Sequence, residues 1–286
     1  MIFLLFLGAL VVAQPAATLE AQVRALIAAS GAEVAVAYRT LDGTAELLID
    51  PDKSFHAAST MKVPVMIELF RQAEAGTLAL DDPLPIRNEF RSIVDGSPYT
   101  LSEGDDSDRA VYANVAKTMT LRALNEAMIT VSSNFATNLM IEKLGVENIR
   151  ATVTRLGADG MKVLRGVEDS KAFEKGLNNA TTARGLLVLL ERLGRGQAVS
   201  AASDREMVEV LKRQKFRDGI PAGVPAGTPV AHKTGNITRI HHDAGIVYGP
   251  RPYVLVVLVR GIQDKKVSGP VMAAISKAVW AHTSEK

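Results

Sequence analysis

The chain has 286 residues, with 33 basic and 31 acidic side chains, five histidines and no cysteine. A formal net charge of +2 and a hydrophobic content of 47% describe a folded chain with a sizeable core, and argue against both disorder and nucleic-acid binding. Without a thiol there is no disulfide, no cysteine nucleophile and no cysteine-ligated metal centre, so the chemistry must rest on oxygen and nitrogen groups.

Residues 2–12 form an apolar run interrupted only by Gly8 and followed by Ala13-Gln14-Pro15-Ala16-Ala17. A membrane span needs about 20 such residues, so this run is too short for one. It has the length and the small flanking residues of a secretory signal over residues 1–17, although no Lys or Arg precedes it. The expectation is a secreted or periplasmic mature protein with no stable membrane span. Thr18 can cap a helix from Leu19 to near Gly31. Strand-like runs at Ala32 to Leu41 and Ala45 to Ile49 flank Asp42-Gly43, a hairpin turn signal.

From Ser59 to about Leu193 the apolar residues recur at helical spacing. The spacing predicts helices at Val65 to Ala73, Leu121 to Ile129, Phe135 to Leu144, Val146 to Leu156 and Thr181 to Leu193. A further helix is expected over Ala201 to Lys212. Strands return at Pro229 to Lys233, Ala244 to Tyr248 and Tyr253 to Val259, and a last amphipathic helix covers Val271 to His282. Strands at both ends of a helical middle point to an α+β fold, with an antiparallel sheet built from both termini and the first and last helices on one face. Residues 18–58 plus 214–286 would form the sheet lobe and 59–213 the helical lobe, with a cleft between them. The polar stretch 88–112 holds Glu103, Asp105, Asp106 and Asp108. Their spacing does not match an EF-hand, and a solvated loop is expected.

Three short motifs occur in order: Ser59-Thr60-Met61-Lys62, Ser132-Ser133-Asn134 and Lys233-Thr234-Gly235. A Ser-x-x-Lys match alone carries no information, since a chain of this size contains about one by chance. Context sharpens it. Ser59 stands where small residues meet an apolar helix, and a spacing of three puts the Lys62 amine beside its hydroxyl. A buried amine loses its proton readily and can act as a base on a hydroxyl. The helix N-terminus supplies N–H groups where an oxyanion would form. Ser132 could relay a proton to a leaving nitrogen and Asn134 could hold a substrate amide, although the same residues also suit a helix cap. Lys233 and Thr234, ending a predicted strand, would bind a carboxylate. Gly235 would permit close backbone approach, with the Asn236 N–H as a second oxyanion donor.

Together the motifs resemble those of class A β-lactamases and the related penicillin-binding serine enzymes. The resemblance runs from about Thr18 to Ala281. It implies a β-lactamase/transpeptidase-like α+β fold, with a five-stranded antiparallel sheet flanked by the terminal helices and an inserted all-helical lobe. It implies acylation of Ser59, activation by Lys62, proton transfer through Ser132 and a carboxylate held by Lys233 and Thr234. Asn138 matches a further asparagine that family members carry on the Asn134 helix. No cofactor and no metal are implied, and the expected partner of a monomeric enzyme is a small β-lactam or a peptidoglycan stem.

The chain also departs from the family. Ser133 replaces the aspartate whose carboxylate braces the second motif there, and the stretch from Ser59 to Ser132 is longer than usual, with the extra length expected in 88–112. Two registers compete for the deacylating glutamate. Glu174-Lys175-Gly176-Leu177-Asn178 matches the family's letters, whereas Glu168 matches its spacing, 168 − 134 = 34 residues after Asn134. Loop length favours Glu168. The reading is a β-lactamase; a D-alanyl-D-alanine carboxypeptidase with slow deacylation, or a non-turnover binding module, remains as the alternative. His241 and His242 are adjacent on a predicted strand and would face opposite ways, which disfavours a shared metal. Arg239 is either a second carboxylate partner or a loop arginine.

Overall fold

The computed structural model describes residues 18–284; the signal segment expected over residues 1–17 lies outside them. The chain begins with α1 (Leu19–Ser30), capped by the Thr18 hydroxyl and closed by Gly31 in the left-handed region (φ 63). Five strands build one antiparallel sheet: β1 (Glu33–Thr40), β2 (Glu46–Ile49), β3 (Val230–Ile237), β4 (Ile240–Val247) and β5 (Tyr253–Arg260). Their spatial order is β2-β1-β5-β4-β3, so the first hairpin of the chain pairs with the last strand and β3 stands at an edge. This is the α+β arrangement expected from strands at both ends of the sequence.

Alternation sorts the two faces. In β5, Tyr253, Leu255, Val257 and Val259 pack with Val23 of α1 and with Met272, Ile275 and Val279 of α9 (Lys265–Ser284). Val254, Val256 and Leu258 face the other way, into the larger cluster shared with the helices of the middle of the chain. Both faces of β5 are therefore covered, which is why its sequence reads as an unbroken apolar run. The buried Tyr38 hydroxyl lies 2.9 Å from Thr283 Oγ1, tying the sheet to the end of α9.

The helical region comprises α2 (Lys62–Glu74), α3 (Leu121–Thr130), α4 (Asn134–Leu144), α5 (Val146–Arg155), the short α6 (Ser170–Glu174), α7 (Ala183–Gly194) and α8 (Ala201–Lys212). α2 is buried from Val63 through Phe70, which makes it the central helix of this region. It includes a fully buried Glu68, whose carboxylate accepts from Arg71, Gln72 and the Thr152 hydroxyl at 2.7–2.8 Å, so the charge is compensated. Pro64 falls in the first turn of α2, where a missing N–H breaks no helical bond. Among the described residues no helix is long and apolar enough to cross a membrane.

Two strand expectations need correction. β3 runs on to Ile237 and β4 begins at Ile240, both well beyond the ranges read from apolar pattern. They meet at Ile237↔Ile240, so Thr238 and Arg239 form a two-residue turn. Arg239 takes the left-handed conformation (φ 60) usually left to Gly or Asn, and no turn residue advertised the hairpin.

Candidate active site

Ser59 sits in a 3₁₀ turn, Ala58–Met61, that leads into α2. The regular helix starts only after this turn, at Lys62, and Thr60 holds the turn by binding back to Ala57 O through both its amide (3.1 Å) and its hydroxyl (2.6 Å). With three residues per turn, positions 59 and 62 eclipse and stack on one side. Ala58 carries φ 45, an uncommon conformation for a residue with a Cβ. Ser132 (φ 63) and Glu168 (φ 62) share this feature, so three of the six such non-glycine residues described lie at one place. Strain of this kind persists only where surrounding contacts hold it.

Lys62 is fully buried and points into the α3–α4 junction. Its amine donates to Ser132 O (2.7 Å), Asn134 Oδ1 (2.9 Å) and Ser132 Oγ (3.2 Å). Burial pushes its pKa from 10.5 to about 7, against the opposing pull of the Asp106 and Glu168 carboxylates. Lys233, also fully buried, donates to Ser132 Oγ (3.0 Å) from the opposite side. Burial, and then the neighbouring Lys62 charge, hold its amine well below the ordinary lysine range. The Ser132 hydroxyl oxygen thus bridges two amines that both resist protonation.

The Lys233-Thr234-Gly235 segment lies within β3 rather than at its end. A Cβ on Gly235 would stand 3.2 Å from Ala57 O, Ala58 Cβ and Ser59 N, so glycine lets the edge strand lie against the nucleophile turn. Asn236 follows at the cavity wall, with its side-chain oxygen buried and unpartnered. From β4, His242 is held by Val259 N donating to its Nδ1 (3.2 Å), which leaves Nε2–H to donate to His56 O (2.9 Å). His241 faces the other way, with Nδ1 2.7 Å from Ser268 Oγ. The two rings serve separate contacts. Arg239 is exposed and donates to Gly261 O, away from the cavities described below.

Glu168 stands on the loop between α5 and α7. Its carboxylate accepts from Asn134 Nδ2 at 2.7 Å, so Asn134 links it to Lys62. Lost hydration raises its pKa, and the Asp106 and Asp105 charges add to the effect. Glu174, the alternative register, is the last residue of α6, exposed and outside the cavity wall. The loop neck is cross-tied by Asn179, which accepts from Leu164 N and Arg165 N and donates to Arg165 O. Asn138, buried on α4, grips the Val167 backbone on both sides (2.6 and 3.0 Å). Asp169 caps α6 and also accepts from Ser92 Oγ and Ile93 N.

Two cavities, of about 600 and 250 Å³, share Ser59, Asn134 and Asn236 in their walls. The larger contains Glu168, and the smaller contains Ser132 and Thr234. A groove of about 640 Å³ between α7 and α8 contains none of these groups. Ser59, Lys62, Ser132, Asn134, Glu168 and the Lys233–Asn236 segment therefore converge, whereas Glu174 does not. Sequence reading missed Asp106 and Lys265. Asp106 was expected in a solvated loop, but its carboxylate accepts from Asn134 N (3.0 Å) and Phe135 N (2.9 Å). Lys265, at the start of α9, borders the smaller cavity and is held by Asp218 (3.1 Å) and the Phe216 ring. Neither residue belongs to a motif, and only folding brings them there.

The chain matches the model of the β-lactamase enzyme family over residues 18–283. It is 26% identical over 271 residues to a β-lactamase of Citrobacter koseri, covering 91% of this chain and 86% of that protein. An ancestral class A β-lactamase, reconstructed for the last common ancestor of Gram-negative bacteria, superposes with a TM-score of 0.80 at 25% identity, over 93% of this chain and 100% of that one. The structure of PBP-A shares the fold at the same TM-score of 0.80 and 24% identity, over 96% and 98% of the two chains. On fold, site and family model together, this chain belongs to the β-lactamase enzyme family.

Proposed function

We propose that the protein is a serine β-lactamase that opens the cyclic amide through an acyl-enzyme on Ser59. Ser59 Oγ attacks the lactam carbonyl carbon while its proton passes to the free amine of Lys62. The Ser59 and Asn236 N–H groups stabilise the oxyanion of the tetrahedral intermediate. As that intermediate collapses, the C–N bond breaks and Ser132 hands a proton to the leaving nitrogen, drawing on the amine pair on either side of it. Lys233 and Thr234 hold the substrate carboxylate. Glu168 then removes a proton from water, which attacks the Ser59 ester and releases the ring-opened acid.

One observation carries this reading. Asn134 hydrogen-bonds Lys62 through its oxygen and Glu168 through its amide nitrogen, which joins the acylating pair to a second base. The reading takes the protein as an exported monomer whose partner is the small substrate. Incubation with a chromogenic cephalosporin is expected to give sustained turnover. A single stoichiometric burst, with an adduct persisting on Ser59 by mass spectrometry, would instead indicate a slow penicillin-binding peptidase.

A further inference from the structure

The second motif carries a serine, Ser133, where the family pattern has an aspartate, yet the turn it forms is strained and must be held. Ser132 has φ 63, and its hydroxyl has to stay between Lys62 and Lys233. Ser133 Oγ caps Ala136 N, so it cannot replace a carboxylate that reaches several amides. The amides that remain are those of Asn134 and Phe135, the first two of α4.

Both are taken by Asp106. Asn134 N donates to both carboxylate oxygens at 3.0 Å, Phe135 N to Oδ2 at 2.9 Å, and Ser133 Oγ lies 3.4 Å from Oδ2. Asp106 is half-buried, and Asp108 N closes the loop onto it at 3.2 Å. Ser107 Oγ, next in sequence, donates to Val131 O at 2.6 Å, so the loop grips the α3–α4 junction at two points. A carboxylate on a helix N-terminus is also favoured by the helix dipole.

We propose that Asp106 is a positioning residue of the active site: from the long loop 88–112 it supplies, across space, the carboxylate that Ser133 lacks, and it holds the Ser132–Asn134 turn in its reactive conformation. This deepens the β-lactamase reading and rests on it. The loop is then part of the enzyme's machinery, because it carries the acid to the turn. Asp106 also bears on the neighbouring bases, because its charge favours the protonated forms of Lys62 and Glu168.

The test compares Asp106→Ala, Asp106→Asn and the double variant Asp106→Ala/Ser133→Asp, using single-turnover acylation by a chromogenic cephalosporin and amide hydrogen exchange over 131–137. Loss of charge-assisted bonds of this kind predicts an acylation rate on the order of 10- to 100-fold lower in Asp106→Ala. Faster exchange at Asn134 and Phe135 should accompany it. Ser133→Asp, placing a carboxylate at the turn itself, should restore most of the rate. Asp106→Asn keeps the shape without the charge, and the acidic limb of its acylation profile should move to lower pH, which a purely structural role would not produce. Wild-type acylation and exchange at 134–135 in Asp106→Ala would overturn the proposal, as would a double variant no faster than Asp106→Ala. If the wild-type protein is not acylated at all, the functional reading fails, and the exchange data still decide whether Asp106 holds the turn.

Discussion

Replacing Lys62 by arginine tests whether acylation depends on a free amine, because a guanidinium cannot give up its proton in a protein. At a pKa of about 7 roughly half of the Lys62 amines are neutral at pH 7. At the ordinary value of 10.5, about 3 in 10,000 would be. Burial therefore raises the available base by about 10³-fold, equivalent to about 4 kcal/mol. If Lys62 takes the Ser59 proton, acylation falls about tenfold for each pH unit below about 7, and Lys62→Arg loses at least about 10³-fold. The assay is stopped-flow acylation by a chromogenic cephalosporin between pH 5 and 9, repeated in Glu168→Gln so that deacylation does not intrude. An acid limb near pH 7 that survives Glu168→Gln assigns the base to Lys62. A profile flat below pH 8 in that background, or Lys62→Arg within tenfold of wild type, would refute the reasoning.

Three further outcomes are expected. Glu168→Gln should accumulate acyl-enzyme, with turnover about 10²–10⁴-fold slower, whereas Glu174→Gln should turn over like wild type; intact-mass measurement after mixing separates the two. Gly166→Ala would bring a Cβ to 2.6 Å from Asn138 Oδ1, displacing the contact that fixes Val167 ahead of Glu168. Urea unfolding should show a loss of about 1–3 kcal/mol, and burst kinetics should show slowed deacylation with acylation nearly unchanged. Lys62→Met should stabilise the fold in a pH-dependent way. Folding lowers the Lys62 pKa from 10.5 to about 7, so across that window the unfolded chain binds a proton that the folded one refuses. Wild-type stability falls as pH drops through it, and the advantage of Met grows by up to about 1.4 kcal/mol per pH unit before levelling off below 7. Equilibrium unfolding at pH 6, 8 and 9.5 measures this, and a pH-independent difference would contradict the burial argument.

Much of the molecule was legible before folding. The apolar runs of β1 and β5 and the helical periods of α3, α4 and α7 follow from which side chains must leave water, and local sequence carries that information. The three motifs were equally visible, because each is contiguous and its residue types suit nucleophile, relay and carboxylate anchor. Other features were not local. The Glu168 and Glu174 registers both satisfied a pattern, and what separates them is contact with Asn134, a residue 34 positions away. Sequence determined that the chemistry had to rest on oxygen and nitrogen groups, since the chain has no thiol, and the Ser59-Thr60-Met61-Lys62 motif put a lysine one turn from a hydroxyl. Tertiary structure decided how reactive that lysine is, because its pKa depends on burial beneath the α3–α4 junction. It also decided that Asp106, which reads in sequence as one acid among several in a polar stretch, sits on the active-site turn. A charge pattern shows that a loop carries carboxylates, but only the folded chain shows which backbone amides they reach.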